Sequence, residues 1–187
     1  MMVDTKTIIL RKPVVYGTGA EQKTVTEITV REPLAGEFET AEKSSGKYGL
    51  SVALIAILSG VPVDVVDDMF RSQIDEAEDF IGSFGADLAF PGMRSPDEID
   101  IDLKKPVKKT DEDSPLNISR VSLVEPTNRQ RRKAGEVGGS FAGSIALIST
   151  VAGVPKNAVR GMCARDFLTC CGYFNGFQIR RSPASDD

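Results

Sequence analysis

The chain has 187 residues, 23 Lys+Arg against 27 Asp+Glu, a formal charge of -4, and no histidine or tryptophan. Without histidine it can build no Ser-His-Asp or Cys-His pair, no His-ligated zinc site and no histidine pH switch. Charged residues at 27% and apolar ones at 41% exclude wholesale disorder, and the length suits one mid-sized domain or two small ones.

Two small ones it is, because the chain repeats itself. Leu10-Arg11-Lys12-Pro13-Val14 returns as Leu103-Lys104-Lys105-Pro106-Val107, and Glu32-Pro33 returns as Glu125-Pro126. Ala53-Leu54-Ile55 returns as Ala146-Leu147-Ile148, and Gly60-Val61-Pro62 as Gly153-Val154-Pro155. All pairs are 93 positions apart, and residues 8–84 laid over 101–177 give 19 identities in 77 positions without a gap. A constant register over that length marks two copies of one module. The expected division is 1–84 for the first module, 85–98 for a linker, 99–177 for the second module and 178–187 for a frayed tail. Met1 to Lys12 lacks a basic start followed by a continuous apolar run, so no secretory leader is expected.

Each module opens on a strand. Ile99, Ile101 and Leu103 alternate with Asp100, Asp102 and Lys104, the period of a half-buried strand, and Thr7 to Leu10 does the same less cleanly. Pro13 and Pro106 are expected to end that strand or confine it to an edge. Turn residues follow, Gly17-Thr18-Gly19 in one copy and Asp111 to Pro115 in the other. The return strands, 24–30 and 117–123, complete a β-hairpin. Glu-Pro then closes the sheet and opens a helical half.

The first helix is predicted at 35–43 and 128–136, with Thr127 or Asn128 as N-cap. The second is almost wholly apolar, at 50–58 and 141–151, with Gly60 and Gly153 at its C-terminal end. Its dozen apolar residues fall short of the roughly 20 needed to cross a bilayer, so it reads as a core helix. Pro62 and Pro155 suit the first position of a third helix. A fourth is predicted at 73–82, opened by a capping box of Ser72 and Asp75, with its counterpart at 166–175. The fold class is α+β: two tandem modules, each a hairpin followed by three or four short helices.

Cys163, Cys170 and Cys171 are too few, too close and odd in number for a disulfide framework. They lack a fourth zinc ligand unless Asp166 joins, so they are expected to be buried, reduced thiols, with no metal and no cofactor. Asp64, Asp67, Asp68, Asp75, Glu76, Glu78 and Asp79 could be read as a Mg²⁺ cluster. Their counterparts in the second copy carry no carboxylate, and a solvated acidic face is the simpler account.

The copies differ most in charge. Residues 8–84 carry seven basic and 13 acidic side chains, a net of -6, whereas residues 101–177 carry 12 basic and seven acidic, a net of +5. Glu37, Glu39 and Glu42 on the first helix of one copy align with Gln130, Arg132 and Gly135 of the other. The latter lie within or beside the basic run Arg129, Gln130, Arg131, Arg132 and Lys133. Solvated helix faces, pairing of modules or chains through complementary charge, and binding of a polyanion are all compatible with that contrast.

One further set of residues carries a resemblance. Thr26-Glu27-Ile28-Thr29-Val30-Arg31-Glu32-Pro33-Leu34-Ala35-Gly36-Glu37 leads into a helix ending Ala41-Glu42-Lys43. An apolar helix follows, and Leu58-Ser59-Gly60-Val61-Pro62 leads to an acidic one. The pattern resembles the tail assembly chaperones of Mu-like and P2-like tailed bacteriophages, the small tail proteins of the E and gene-41 kind. The second copy keeps Glu125-Pro126 and Gly153-Val154-Pro155 but replaces the Leu-Ala-Gly after Pro33 by Thr127-Asn128-Arg129.

The resemblance implies a non-catalytic chaperone in the host bacterial cytoplasm, absent from the finished virion. It implies binding to the tape measure protein, and to tail tube subunits as a further partner, with the tape measure kept soluble during tail morphogenesis. Retention in the virion as a structural component, or nucleic-acid binding through the basic module, are the alternatives. Val65, Val66, Met69, Phe70, Ile74 and Phe80 are the apolar candidates for a protein contact, although such spacing also describes a core. Arg129, Arg131, Arg132 and Lys133 are the charged candidates.

Overall fold

A computed structural model describes residues 4–85, 94–109 and 116–177. The first module runs β1 (Thr5–Tyr16), a 3-10 turn (Gly19–Glu21), β2 (Lys23–Arg31), α1 (Ala35–Ser44), α2 (Leu50–Ser59), α3 (Val63–Asp67) and α4 (Arg71–Ser83). The second runs β3 (Glu98–Lys109), β4 (Leu116–Val124), α5 (Asn128–Gly135), α6 (Ser140–Ala152), α7 (Lys156–Arg160) and α8 (Ala164–Asn175). Two hairpins, each followed by four helices, make the α+β architecture predicted from sequence. The tail beyond Phe177, residues 86–93 of the linker and the turn at 110–115 lie outside the described residues.

The repeat holds down to the ladder. Thr5 pairs with Arg31 and Glu98 with Val124; the register shifts between Ile9 and Val14, and again between Asp102 and Val107. Each of these positions maps onto its counterpart by the same 93-residue step. Pro13 and Pro106 therefore do not end the strand, and the alternative expectation holds, since each strand of a two-stranded sheet is an edge. Each falls in the irregular stretch, where its missing N–H interrupts the ladder, and regular pairing resumes at the next residue.

In each module the apolar helix lies across the hairpin and the fourth helix packs against the first strand. Ile8, Val30, Ile55, Val65 and Val66 are buried in the first module and Ile101, Leu123, Ile148, Val159 and Phe167 in the second, and they belong to one apolar cluster that runs through both. Gly60 and Gly153 adopt left-handed φ values of 71° and 65° and end α2 and α6 with a backbone N–H bonded back into the last turn. Pro62 and Pro155 sit one residue earlier than predicted, as N-caps.

The predicted Ser72–Asp75 capping box does not form. α4 already begins at Arg71, behind Phe70 as N-cap, and Ser72 lies within its first turn. Thr127, in contrast, caps α5: its hydroxyl accepts from the Gln130 N–H, while the Gln130 side chain accepts from the Thr127 N–H. No helix of the described residues is long and apolar enough to cross a membrane.

Candidate protein-interaction surfaces

The modules meet through a contact that uses different surfaces on each side. The first module contributes the segment from Glu32 to Glu42; the second contributes the α7–α8 junction and the start of α6. Backbone pairing anchors it. Leu34 and Cys163 form a short antiparallel bridge, in which the Ala35 N–H donates to Met162 O and the Ala164 N–H to Pro33 O, both at 2.8 Å. Phe38 inserts beside it, stacked on Phe141 with ring centroids 4.9 Å apart and 6.2 Å from Phe167. Gly36 permits the close approach, since a Cβ there would stand 3.1 Å from Arg160 Cβ.

Charge then fixes the orientation. The Glu32 side chain is 3% exposed and accepts from Lys105 Nζ at 2.8 Å and from the Arg165 backbone N–H at 3.3 Å. The Lys105 amine is held above its usual range, chiefly by the hydrogen bond it donates to Glu32. Arg165 reaches Asp4 at 3.0 Å and lies over the ring of Phe84 at 4.8 Å. Glu39, also buried, accepts from Arg160 Nε and Lys43 Nζ, each at 2.6 Å. The Arg160 hydrogen bond is the main reason its carboxyl lies at about 2, against an ordinary 4.5.

Glu42 performs a third task, accepting from the Ser140 and Phe141 backbone N–H groups at 2.7 and 3.2 Å. It caps α6 from the other module, where the helix dipole and unpaired amides favour an anion. Gly139, at φ 84°, leaves the carboxylate room, since a Cβ there would collide with it.

Glu39 and Glu42 were singled out from sequence, but their partners were not. The acidic face of α1 meets Arg160 and the start of α6, whereas the basic run of α5 stands elsewhere. Arg129, Arg132 and Lys133 are exposed, and Arg131 is half-buried, donating to Phe174 O at 2.7 Å. Of the apolar candidates, Val65, Val66, Met69 and Ile74 are core, at 8% exposure or less. Phe80 is half-buried against Phe84, and Phe70, 50% exposed, projects from the α3–α4 junction.

Glu32, Lys105, Arg160 and Arg165 escaped the sequence reading. The shared Glu-Pro was the available signal for Glu32, but nothing local distinguished a buried carboxylate from a turn residue.

The carboxylates of α3 and α4 disperse onto separate partners: Asp64 on the Tyr48 hydroxyl, Asp75 and Glu78 on Arg71, Glu76 on Lys6. Asp166 is buried and accepts from the Lys104 and Lys105 backbone N–H groups, pinning α8 to β3 where the ladder is irregular. Cys163, Cys170 and Cys171 are free thiols, and burial raises the Cys163 and Cys171 thiols to about 12.

The family model described as "Phage tail assembly chaperone proteins, E, or 41 or 14" matches the chain twice, over residues 7–85 and 100–179. The chain belongs to this family. Each match spans one hairpin and its four helices, so the family module occurs here as two tandem copies. Membership assigns the chain a chaperone role in phage tail assembly. No curated protein and no solved structure matches it significantly.

Proposed function

We propose that this chain binds the tape measure protein and keeps it soluble in the host cytoplasm while the tail tube assembles around it. It performs no reaction and leaves before the virion is complete. The observation that carries this reading is the double family match, which covers both modules nearly end to end. The accessible candidates, Phe70 and the edge of Phe80 on the acidic module and Arg129 to Lys133 on the basic one, serve as contacts to other protein chains. Val65, Val66, Met69 and Ile74 act behind them, holding the helices that present those contacts.

Co-expression with the tape measure protein of the same phage tests the proposal. The expected result is a larger soluble fraction of the client and a complex that co-purifies. Neither a complex nor a gain in solubility would overturn it. Mass spectrometry of purified virions is expected to lack peptides of this chain; their presence in stoichiometric amount would establish a structural role instead.

A further inference from the structure

The contact between the modules is heterologous, and a repeated module with a heterologous contact has two surfaces left over. The first module uses its α1 face and the second its α7–α8 junction. The same two surfaces recur, outside the contact between the modules, as the α3–α4 junction of the first module and the α5 face of the second. We propose that copies of this chain associate head to tail, the α5 face of one seating on the α3–α4 junction of the next, in the arrangement that joins the modules within a chain.

The leftover surfaces fit each other in charge, with the signs exchanged at one pair and kept at the other. Within the chain Glu39 on α1 meets Arg160 on α7 at 2.6 Å. Their counterparts 93 residues away are Arg132 on α5 and Asp67 on α3, both exposed. A cation and an anion again face each other, in reversed order. Glu32 meets Lys105 within the chain, and their counterparts are Glu125 and Lys12, also both exposed. Of the ion pairs that orient the internal contact, these two are preserved in the second, one by keeping both residues and one by exchanging the signs at both positions.

Apolar and backbone groups agree. Cys163, which bridges to Leu34, is replaced by Phe70, an apolar side chain half in solvent at the centre of the surface. The backbone groups matching the bridge are Pro126 O, the Asn128 N–H, Met69 O and the Arg71 N–H. None has an intramolecular partner among the described residues. Arg131 and Tyr48 stand at the positions of the stacked Phe38 and Phe141, Arg131 donating to Phe174 O and Tyr48 to Asp64 within the chain.

The second contact is built to be weaker. Gly135 replaces Glu42, and α2 lacks the additional first turn of α6 that Glu42 caps, so that part is missing from both sides at once. Arg129 replaces Gly36, so the helix rides farther from its partner than α1 does. Association through the remaining charges is therefore reversible and falls with salt. A heterologous contact closes into a ring or continues as a filament, which suits an elongated client.

The inference concerns this chain alone and stands apart from its client, so sedimentation without the client tests it independently. The full chain at low salt is expected to show concentration-dependent species larger than the monomer, reduced at high salt. Asp67→Arg and Arg132→Glu are each expected to weaken association about tenfold or more, and the double variant to restore it. Mixing the two single variants is expected to recover association as well. Phe70→Asp, away from both charges, is expected to abolish it with unchanged circular dichroism. A wild-type chain that is monomeric at all concentrations would overturn the inference, and so would oligomers that neither charge reversal weakens.

Discussion

α1 and α5 occupy the same place in two copies of one module and have opposite fates. α1 buries Phe38 and Glu39 against the other module, while α5 holds Arg131 half in solvent and leaves Arg132 exposed. The scaffold beneath them barely differs, since the ladders, the glycine caps and the third helices share one register. The lesson is that a duplicated module can keep its core and divide its surface. One copy of a face becomes interior, and the other is released to change chemistry.

The largest effect is expected where that division is sharpest. Phe38→Ala removes a ring stacked on Phe141 and leaves a void beside Phe167, and should destabilise the chain by about 3 kcal/mol. Arg131→Ala, at the matching position, loses a hydrogen bond and some packing of its stem, about 1 kcal/mol. Urea denaturation of the two variants measures the difference directly. Equal losses would mean that the two faces contribute alike.

The ion pair beneath Phe38 comes next. Arg160→Ala leaves the buried Glu39 carboxylate with Lys43 alone, at a cost of about 2 kcal/mol. Arg132→Ala should stay within about 0.5 kcal/mol when measured on the monomer. The same pair sets an acid response. The folded Glu39 carboxyl lies below its ordinary value, so its contribution is fully present above pH 4.5 and is lost as pH falls toward about 2. Stability measured across that window should decline in the wild type and more shallowly in Arg160→Ala.

Much of this was legible before the fold was. The 93-residue step allowed each element to be read twice, so a strand blurred at Thr7 to Leu10 became clear at 99–103. Glycine at the end of an apolar run located two helix ends to within one residue, because a left-handed cap leaves few alternatives. The pairing of faces was not legible. Glu39 and Glu42 stood out by contrast with Arg132 and Gly135, but a contrast does not say what lies opposite. Arg160 is 121 positions from Glu39, and its partner is chosen by how two whole modules dock. Sequence periodicity sees one helix face at a time and carries no information about that geometry. The residues between Val65 and Phe80 show the same limit, since spacing alone does not separate Phe70, outside, from Ile74, inside.

Smaller effects sharpen the comparison at the helix starts. α5 carries its own cap, and Thr127→Ala should cost about 1 kcal/mol by freeing the Gln130 N–H. α6 has no side-chain cap of its own, and its first amides depend on Glu42 of the other module. Glu42→Ala should therefore cost a similar amount, about 1 kcal/mol, but through loss of contact between modules. Amide exchange distinguishes the two cases. Glu42→Ala should speed exchange at Ser140 and Phe141, whereas Thr127→Ala should leave those amides unchanged.

The smallest expected effect is also the most specific. Gly135→Glu supplies α5 with the carboxylate that α1 has at Glu42. If that carboxylate stabilised the chain through its own helix, the substitution would help at once. The structure assigns its effect to the amides it meets, and the matching helix α2 begins at Leu50, without the extra turn that carries Ser140 and Phe141 in α6. An acidic side chain in the last turn of α5 also opposes the helix dipole slightly. Gly135→Glu should therefore change stability by less than about 0.5 kcal/mol, the ordinary range for an exposed substitution. A gain comparable to the loss in Glu42→Ala would show that the carboxylate acts within its own helix, and that the two faces differ less than their contacts imply.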